Sequence, residues 1–406
     1  MTVSVVYESP SESRPGGARY EEMRQRALSL VDRFAARAEE AEALRQVPPD
    51  TIRDLHESGL FRMLQPLRVG GSELDYGCLV DMGAIIARGC ASTAWTMTNL
   101  ASHHWMLAMF PPETQARVWE EDADAMIASA FIFPAGRARR VEGGYRLSGK
   151  WAFSSGVDPS QWNMVGGVVE AEAEATPHSR VFLLHRSQYE ILDTWYATGL
   201  KGTGSNDIGC EDVFLPEAMT VAAEALKGGM TPGGEVNPGA LYRLPVYALF
   251  PLILSGIGLG LAEVAYNTYV GSIRERASRF TGARLAELQS TQIKIGNTDA
   301  RIETARRVML GICADAMDDA RAGRIPDLET KMGYRRDVCF ATNLCIEAVD
   351  LVNGGFGAQA LYTGNPLQRY FRDAHAVAAH IAFSMDAAAS AHGRVAIGLD
   401  TAHPTI

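Results

Sequence analysis

The chain has 406 residues, 47% of them hydrophobic, enough to bury a large core spread over two or three layers or domains. A formal charge of −10, with no lysine or arginine run, excludes a nucleic-acid groove. Six cysteines (Cys78, Cys90, Cys210, Cys313, Cys339, Cys345) lack CxxC spacing and read as free thiols of a reducing, cytoplasmic compartment, not as a disulfide or zinc framework.

Residues 1–17, rich in Ser, Pro and Gly, lack signal-peptide architecture and read as a disordered tail. Residues 18–122 predict an N-terminal helical domain. Tyr20 to Leu44 carries apolar positions at helical spacing, and the next helix has Pro49 at its start and Gly59 at its stop. The apolar stretch CASTAWTMTNLASHHWMLAMFP then places His103, His104 and Trp105 on one helix. Neighbours on a helix point about 100° apart, so the two histidines cannot share a metal. Two readings are left open: one of them lines a pocket, or one caps a polar contact while the other lies at a surface.

Residues 123–230 change to short alternating runs broken by Gly, Pro and Asp (MIASAFIF, YRLSGKWAFSSG, WNMVGGVV, RVFLLHRS), which predicts a middle β-domain. On an alternating strand Ser154 and Ser155 face opposite sides. The glycines from Gly199 to Gly204 lead into a strand and not a helix, so neither a Rossmann nor a P-loop site has its context. Residues 231–406 predict a C-terminal helical bundle. Its uncharged stretch Leu244 to Ala262 is long enough for a membrane span, but it runs on into a charged amphipathic pattern and reads as a buried bundle helix. Residues 225–245 look like a mobile loop of the kind that forms lids. In the segment from Asn353, Gly354, Gly355 and Gly357 sit where a helix stops and turns, and Pro366 starts the next helix. His375 and His380, five residues apart, lie about 140° apart around a helix, so only one can face a site.

GGFG followed by LQRYFRDAH, with WAFSSG and GLKGTGSND…VFLP upstream, resembles the acyl-CoA dehydrogenase fold: α+β, with a helical domain, a β-barrel-like middle domain and a four-helix bundle. The position matching the glutamate base of those dehydrogenases is Ile381, which takes no proton, and the loop that accepts the thioester is reduced to Pro134-Ala-Gly136. With His380 beside that position, the chain is similar to the group D branch: oxygenase components of two-component flavin-dependent monooxygenases related to p-hydroxyphenylacetate 3-hydroxylase. This resemblance implies reduced FAD or FMN from a separate NAD(P)H:flavin reductase, O2 as co-substrate, and a C4a-hydroperoxyflavin that hydroxylates a small phenol, indole or polyketide-like ring. It implies His380 as base or peroxide partner, Ser154 at the flavin N5, and His103 near the phenol. It further implies Ser129, Trp105 and Tyr247 at the substrate, and Trp151, Ser155, Thr203 and Ser205 beside the flavin. Arg276, Phe280, Gly354, Gly355 and Gly357 would hold the flavin of an adjacent subunit in a homotetramer, although Arg276 serves equally as part of a solvated basic face. A dehydrogenase with a relocated base is the alternative. No metal, nucleic acid or membrane is expected.

Overall fold

The computed structural model describes residues 12–170, 177–277 and 282–401. Of the expected tail, residues 1–11 lie outside the described residues, and the carbonyl of Ser13 already accepts the Asp75 N–H at 3.0 Å. Helix α1 (Ala18–Ala36) buries Tyr20, Met23, Ala27, Leu30 and Phe34, the three-and-four spacing of an amphipathic helix. Next come α2 (Ala38–Leu44), α3 (Pro49–Ser58), α4 (Cys78–Ala87), α5 (Ala91–Leu107) and α6 (Pro112–Trp119). Helix α5 is buried on every face. With no wet side, its Thr96, Asn99, His103 and His104 must find polar partners inside the protein.

The middle domain is one eight-stranded sheet built from β1 (Ile127–Ala130), β2 (Gly136–Val141), β3 (Gly144–Ser154), β4 (Trp162–Val169), β5 (His178–His185), β6 (Glu190–Leu192), β7 (Asn206–Pro216) and β8 (Thr220–Ala222). The order is β6-β7-β3-β2-β4-β5-β8, with β1 parallel beside β4. Between the pairs Trp151/Ile208 and Ser154/Asn206, β3 carries one residue more than β7, a bulge. Phe153 occupies that bulge with φ 66°, a left-handed conformation that costs a non-glycine residue roughly 1–3 kcal/mol. Its ring is 63% exposed.

The C-terminal bundle comprises α7 (Val246–Ile273), α8 (Gln289–Arg321), α9 (Leu328–Phe356), α10 (Leu367–Ala378) and α11 (Met385–Ala396). Helix α7 contains the stretch of membrane-spanning length, and 89% of its most apolar window is buried, so it is the core helix of the bundle as expected. It packs against α4 through Gly256 and Gly260, where a Cβ would stand 2.3 Å and 2.1 Å from the Val80 and Ala84 carbonyl oxygens. Only glycine permits that approach.

Helices α7 and α9 run parallel, with Arg335 beside Tyr247, Thr342 beside Gly258 and Gly355 beside Tyr269. The fourth member runs antiparallel to α9: His375 meets Asp350, Phe383 meets Asn343 and His392 meets Arg336. It is broken between Ala378 and Met385, and His380 stands in the break. The segment 225–245 is no free lid. Gly233 N–H donates to Met109 O at 3.0 Å, Asn237 Nδ2 to Ala108 O at 2.8 Å, and Gly229 N–H to Arg243 O at 2.8 Å.

Candidate active site

The two adjacent histidines of α5 part company. His103 Nδ1 lies 2.5 Å from the Ile127 carbonyl on β1. A carbonyl only accepts, so Nδ1 carries the proton and Nε2 is left with a lone pair. That Nε2 is buried and has no hydrogen-bond partner. Burial pushes the His103 pKa down to about 4, so the ring is neutral near pH 7. His104 is structural: its Nδ1 accepts from Trp119 Nε1 at 3.1 Å, and burial, then Arg62, push its pKa to about 3. Trp105, expected at the substrate, instead donates its indole N–H to Leu241 O at 2.7 Å and packs on Tyr76. Being two residues further along the helix, it points away from His103.

His380 has the opposite polarity to His103. Its Nδ1 accepts the Ala382 N–H at 3.2 Å, so the neutral ring carries its proton on Nε2 and is a donor there. Burial, then the charge of Arg335, push its pKa down to about 4. A row of rings joins the two histidines: His380 stacks on Phe250 at 6.4 Å, Phe250 meets Phe131 at 6.2 Å, and Phe131 meets His103 at 6.1 Å. Trp95 closes on His380 from α5 at 5.6 Å. His375 is the ordinary one of its pair, exposed and bonded to Asp350 at 2.9 Å. Because α10 ends at Ala378, its separation from His380 is made by the break and not by the angle around one helix.

These buried rings tie stability to pH. His103, His104 and His380 bind protons more weakly folded, at about 4, 3 and 4, than in the unfolded chain near 6.5. Their contribution is therefore complete above about pH 6.5 and lost as the pH falls toward 4, at roughly 1.4 kcal/mol per pH unit per ring. Asp373, its pKa raised to about 6 by burial, acts in the opposite sense over the same window and offsets one of the three. The urea midpoint is expected to drop clearly between pH 7 and pH 5, and an unchanged midpoint would contradict the neutral buried rings.

The expected hydroxyls do come together. Ser155 Oγ and Ser205 Oγ are 2.7 Å apart, Ser205 Oγ and Thr203 Oγ1 are 2.7 Å apart, and Thr203 donates to Leu200 O at 3.0 Å. Trp95 Nε1 donates to Ser155 Oγ at 3.0 Å, and Asp373 fixes the same loop by accepting Leu200 N–H at 2.7 Å. Ser154 is not part of this chain. It has 0% exposure, and its hydroxyl accepts from Asn163 Nδ2 on β4 at 2.8 Å, so the hydroxyl presented toward α5 is that of Ser155. Trp151 is fully buried in the sheet domain, its N–H bonded to Gly166 O at 2.7 Å. The aromatic ring left exposed on that strand is Phe153, turned out by the bulge. Ser129 is buried on β1, and Tyr247, its hydroxyl buried without a partner, packs edge-on against Phe133. Thr96 Oγ1, beside Gly156, is likewise without a partner.

At the other end of the bundle, Arg276 lies over the Phe356 ring at 5.3 Å. Gly354 and Gly355 belong to the last turn of α9 and not to a loop, while Gly357, at φ 62°, ends it. Phe280 lies outside the described residues. From Phe250 to Ile273 along α7 is about 35 Å at 1.5 Å per residue, so within one chain this cluster and the His380 cluster are far apart.

A flavin ring needs an apolar face and a polar edge. The Ser155, Ser205 and Thr203 hydroxyls, the unpartnered Thr96 hydroxyl, and the exposed Phe153 and Ile381 supply residues of both kinds. Trp95, Asn99, Phe131, Phe250 and Arg335 were not expected from the sequence. The first two were legible in principle, since Trp95, Asn99 and His103 are spaced by four and share one face of α5.

Residues 18–122 match the family described as acyl-CoA dehydrogenase, N-terminal domain, and residues 252–385 match acyl-CoA dehydrogenase, C-terminal domain. The chain is 34% identical to the oxygenase component of an FADH(2)-dependent resorcinol hydroxylase of Rhizobium sp. (strain MTP-10005), covering 92% of this chain and 94% of that one. It is 35% identical to the flavin-dependent monooxygenase oxygenase subunit HsaA of Rhodococcus jostii (strain RHA1), covering 92% and 98%. The crystal structure of a 3-HSA hydroxylase from Rhodococcus sp. RHA1 superposes with a TM-score of 0.89 at 34% identity, covering 95% of this chain and 99% of that one.

Proposed function

This chain belongs to the acyl-CoA dehydrogenase family, within it to the oxygenase components of two-component, reduced-flavin-dependent monooxygenases that hydroxylate aromatics, and from that premise we propose that its substrate is a small phenol held between His103 and His380. The observation that carries this is the buried Nε2 of His103, a lone pair with no partner at the end of a row of aromatic rings. A phenol O–H donated there satisfies it and enriches the ring in electron density. Reduced flavin, when bound, supplies the two electrons with which one atom of O2 enters the ring and the other leaves as water.

The protein's own residues do the rest. His380 donates its Nε2–H to the oxygen that is delivered to the ring. Ser155, with Ser205, Thr203 and Thr96, holds the polar edge of the flavin, while the aromatic row keeps water from the reacting atoms. Arg276, Gly354, Gly355 and Gly357 act on the flavin of a second copy, since they lie about 35 Å along the bundle from His380. Leu361 and Tyr362, close to that turn in sequence, are exposed and available to such a copy in a homotetramer. The reduced flavin comes from a separate reductase.

The test supplies chemically reduced FMN or FADH2 to a panel of phenols and their methyl ethers in oxygenated buffer and scores product against O2 consumed. Phenols are expected to be hydroxylated with one O2 per product, and the ethers about 10²-fold more slowly or worse. Ethers turned over as fast as phenols would remove His103 from this role.

A further inference from the structure

We infer that the α7–α9 side of the His380 cluster receives an anionic group, and that Arg335 is the residue that binds a carboxylate carried by the aromatic substrate. This rests on the phenol-hydroxylase reading above and names the substrate class of the same site.

The argument starts at Pro251, inside α7. Proline has no N–H, so the carbonyl four residues earlier, that of Tyr247, loses its helical partner. Arg335 of α9 makes good the loss, its Nη1 donating to Tyr247 O at 2.7 Å. That bond uses one of the five N–H groups of a guanidinium. The side chain is mostly buried, and burial lowers its pKa, yet among the described residues no Asp or Glu pairs with it. Several other part-buried arginines do have a carboxylate: Arg88 and Arg306 meet Glu263, Arg321 meets Asp75, and Arg372 meets Glu42. A desolvated guanidinium without a counter-charge is costly, and its planar fork suits the two oxygens of a carboxylate.

Its neighbours share the site. Tyr247, whose carbonyl it holds, also presents a buried hydroxyl without a partner, and one turn further along α7 Phe250 stacks on His380. An anion on Arg335 would therefore sit beside the donor imidazole, and would cancel the positive charge that now depresses the affinity of His380 for protons.

Binding is measured by calorimetry on flavin-free protein with 4-hydroxybenzoate, 4-hydroxyphenylacetate and 3-(4-hydroxyphenyl)propanoate, each against its carboxamide. At least one acid is expected to bind on the order of 10²-fold tighter than its amide. In the double variant Arg335→Met with Pro251→Ala, the alanine N–H restores the helical bond to Tyr247, so the helix keeps its hydrogen bond while the preference for acid falls to near unity. Pro251→Ala alone retains the preference. Acids that bind no tighter than amides in the native protein, or a preference that survives in the double variant, would overturn the assignment. Hydroxylation with reduced flavin is scored on the same preparations. Acid binding that depends on Arg335 without hydroxylation sinks the oxygenase role and leaves Arg335 as the carboxylate site. Hydroxylation with no preference for acid sinks Arg335 alone.

Discussion

Replacing His380 by Ala lowers coupled ring hydroxylation by about 10²- to 10⁴-fold, the usual contribution of a positioned proton donor. The reduced flavin is still consumed, so O2 uptake continues while product is lost, and the ratio of product to O2 is the quantity to measure. His380→Gln restores part of the rate, because its amide NH2 can donate where the imidazole Nε2–H did. Glutamate at the same place does not, since near pH 7 it accepts only. The native rate is flat from pH 6 to 8 as far as this ring is concerned, because burial holds its pKa down to about 4. Unchanged coupling in the alanine variant removes His380 from the mechanism.

His103→Leu is expected to lose a comparable factor on phenols at pH 7, about 10²-fold or more, for the opposite reason. Here the ring accepts the phenol O–H, and without it that hydrogen bond, with the electron density it lends the ring, is lost. Raising the pH toward the pKa of a phenol, near 10, ionises the substrate in solution and returns part of the rate. The native protein has no need of that recovery, so the two pH profiles diverge below pH 10 and converge toward it. Parallel profiles would show that His103 fills space and accepts nothing. Circular dichroism is the control for folding, since leucine leaves the Ile127 carbonyl without its donor.

Periodicity was sufficient for the architecture. The apolar positions of α1, the alternating strands and the uncharged run of α7 each announce their element, because burial imposes one spacing on a helix and another on a strand. A motif in the sequence singles out Thr203 and Ser205, whose hydroxyls the fold joins to Ser155, whereas other placements are decided by tertiary contacts that leave no local signal. The resemblance assigns Trp151 and Ser154 to the flavin, but with the bulge at Phe153 between them both side chains are buried in the sheet domain and Phe153 is exposed instead. Nothing in the segment Ala379 to Ser384 signals a helix break, having neither proline nor glycine, so His380 could be assigned to a helix face it does not occupy. Arg335 carries no local signal at all. Its meaning comes from a proline 84 residues earlier in sequence that lies on the neighbouring helix.

The interruption of the fourth bundle helix has a bearing on how such proteins diversify. Its two halves are anchored separately, one by Asp373 on the Leu200 N–H and one by His392 on Arg336, so an exposed residue of the six between them, such as Ile381, can be exchanged without loosening either anchor. Within that inset a single-position slip decides which side chain meets the reactants: His380 packs against Trp95 and Phe250 while Ile381 is 75% exposed. A scaffold arranged in this way can trade a carboxylate for an imidazole as one exchanges a tool bit, leaving the handle as it was.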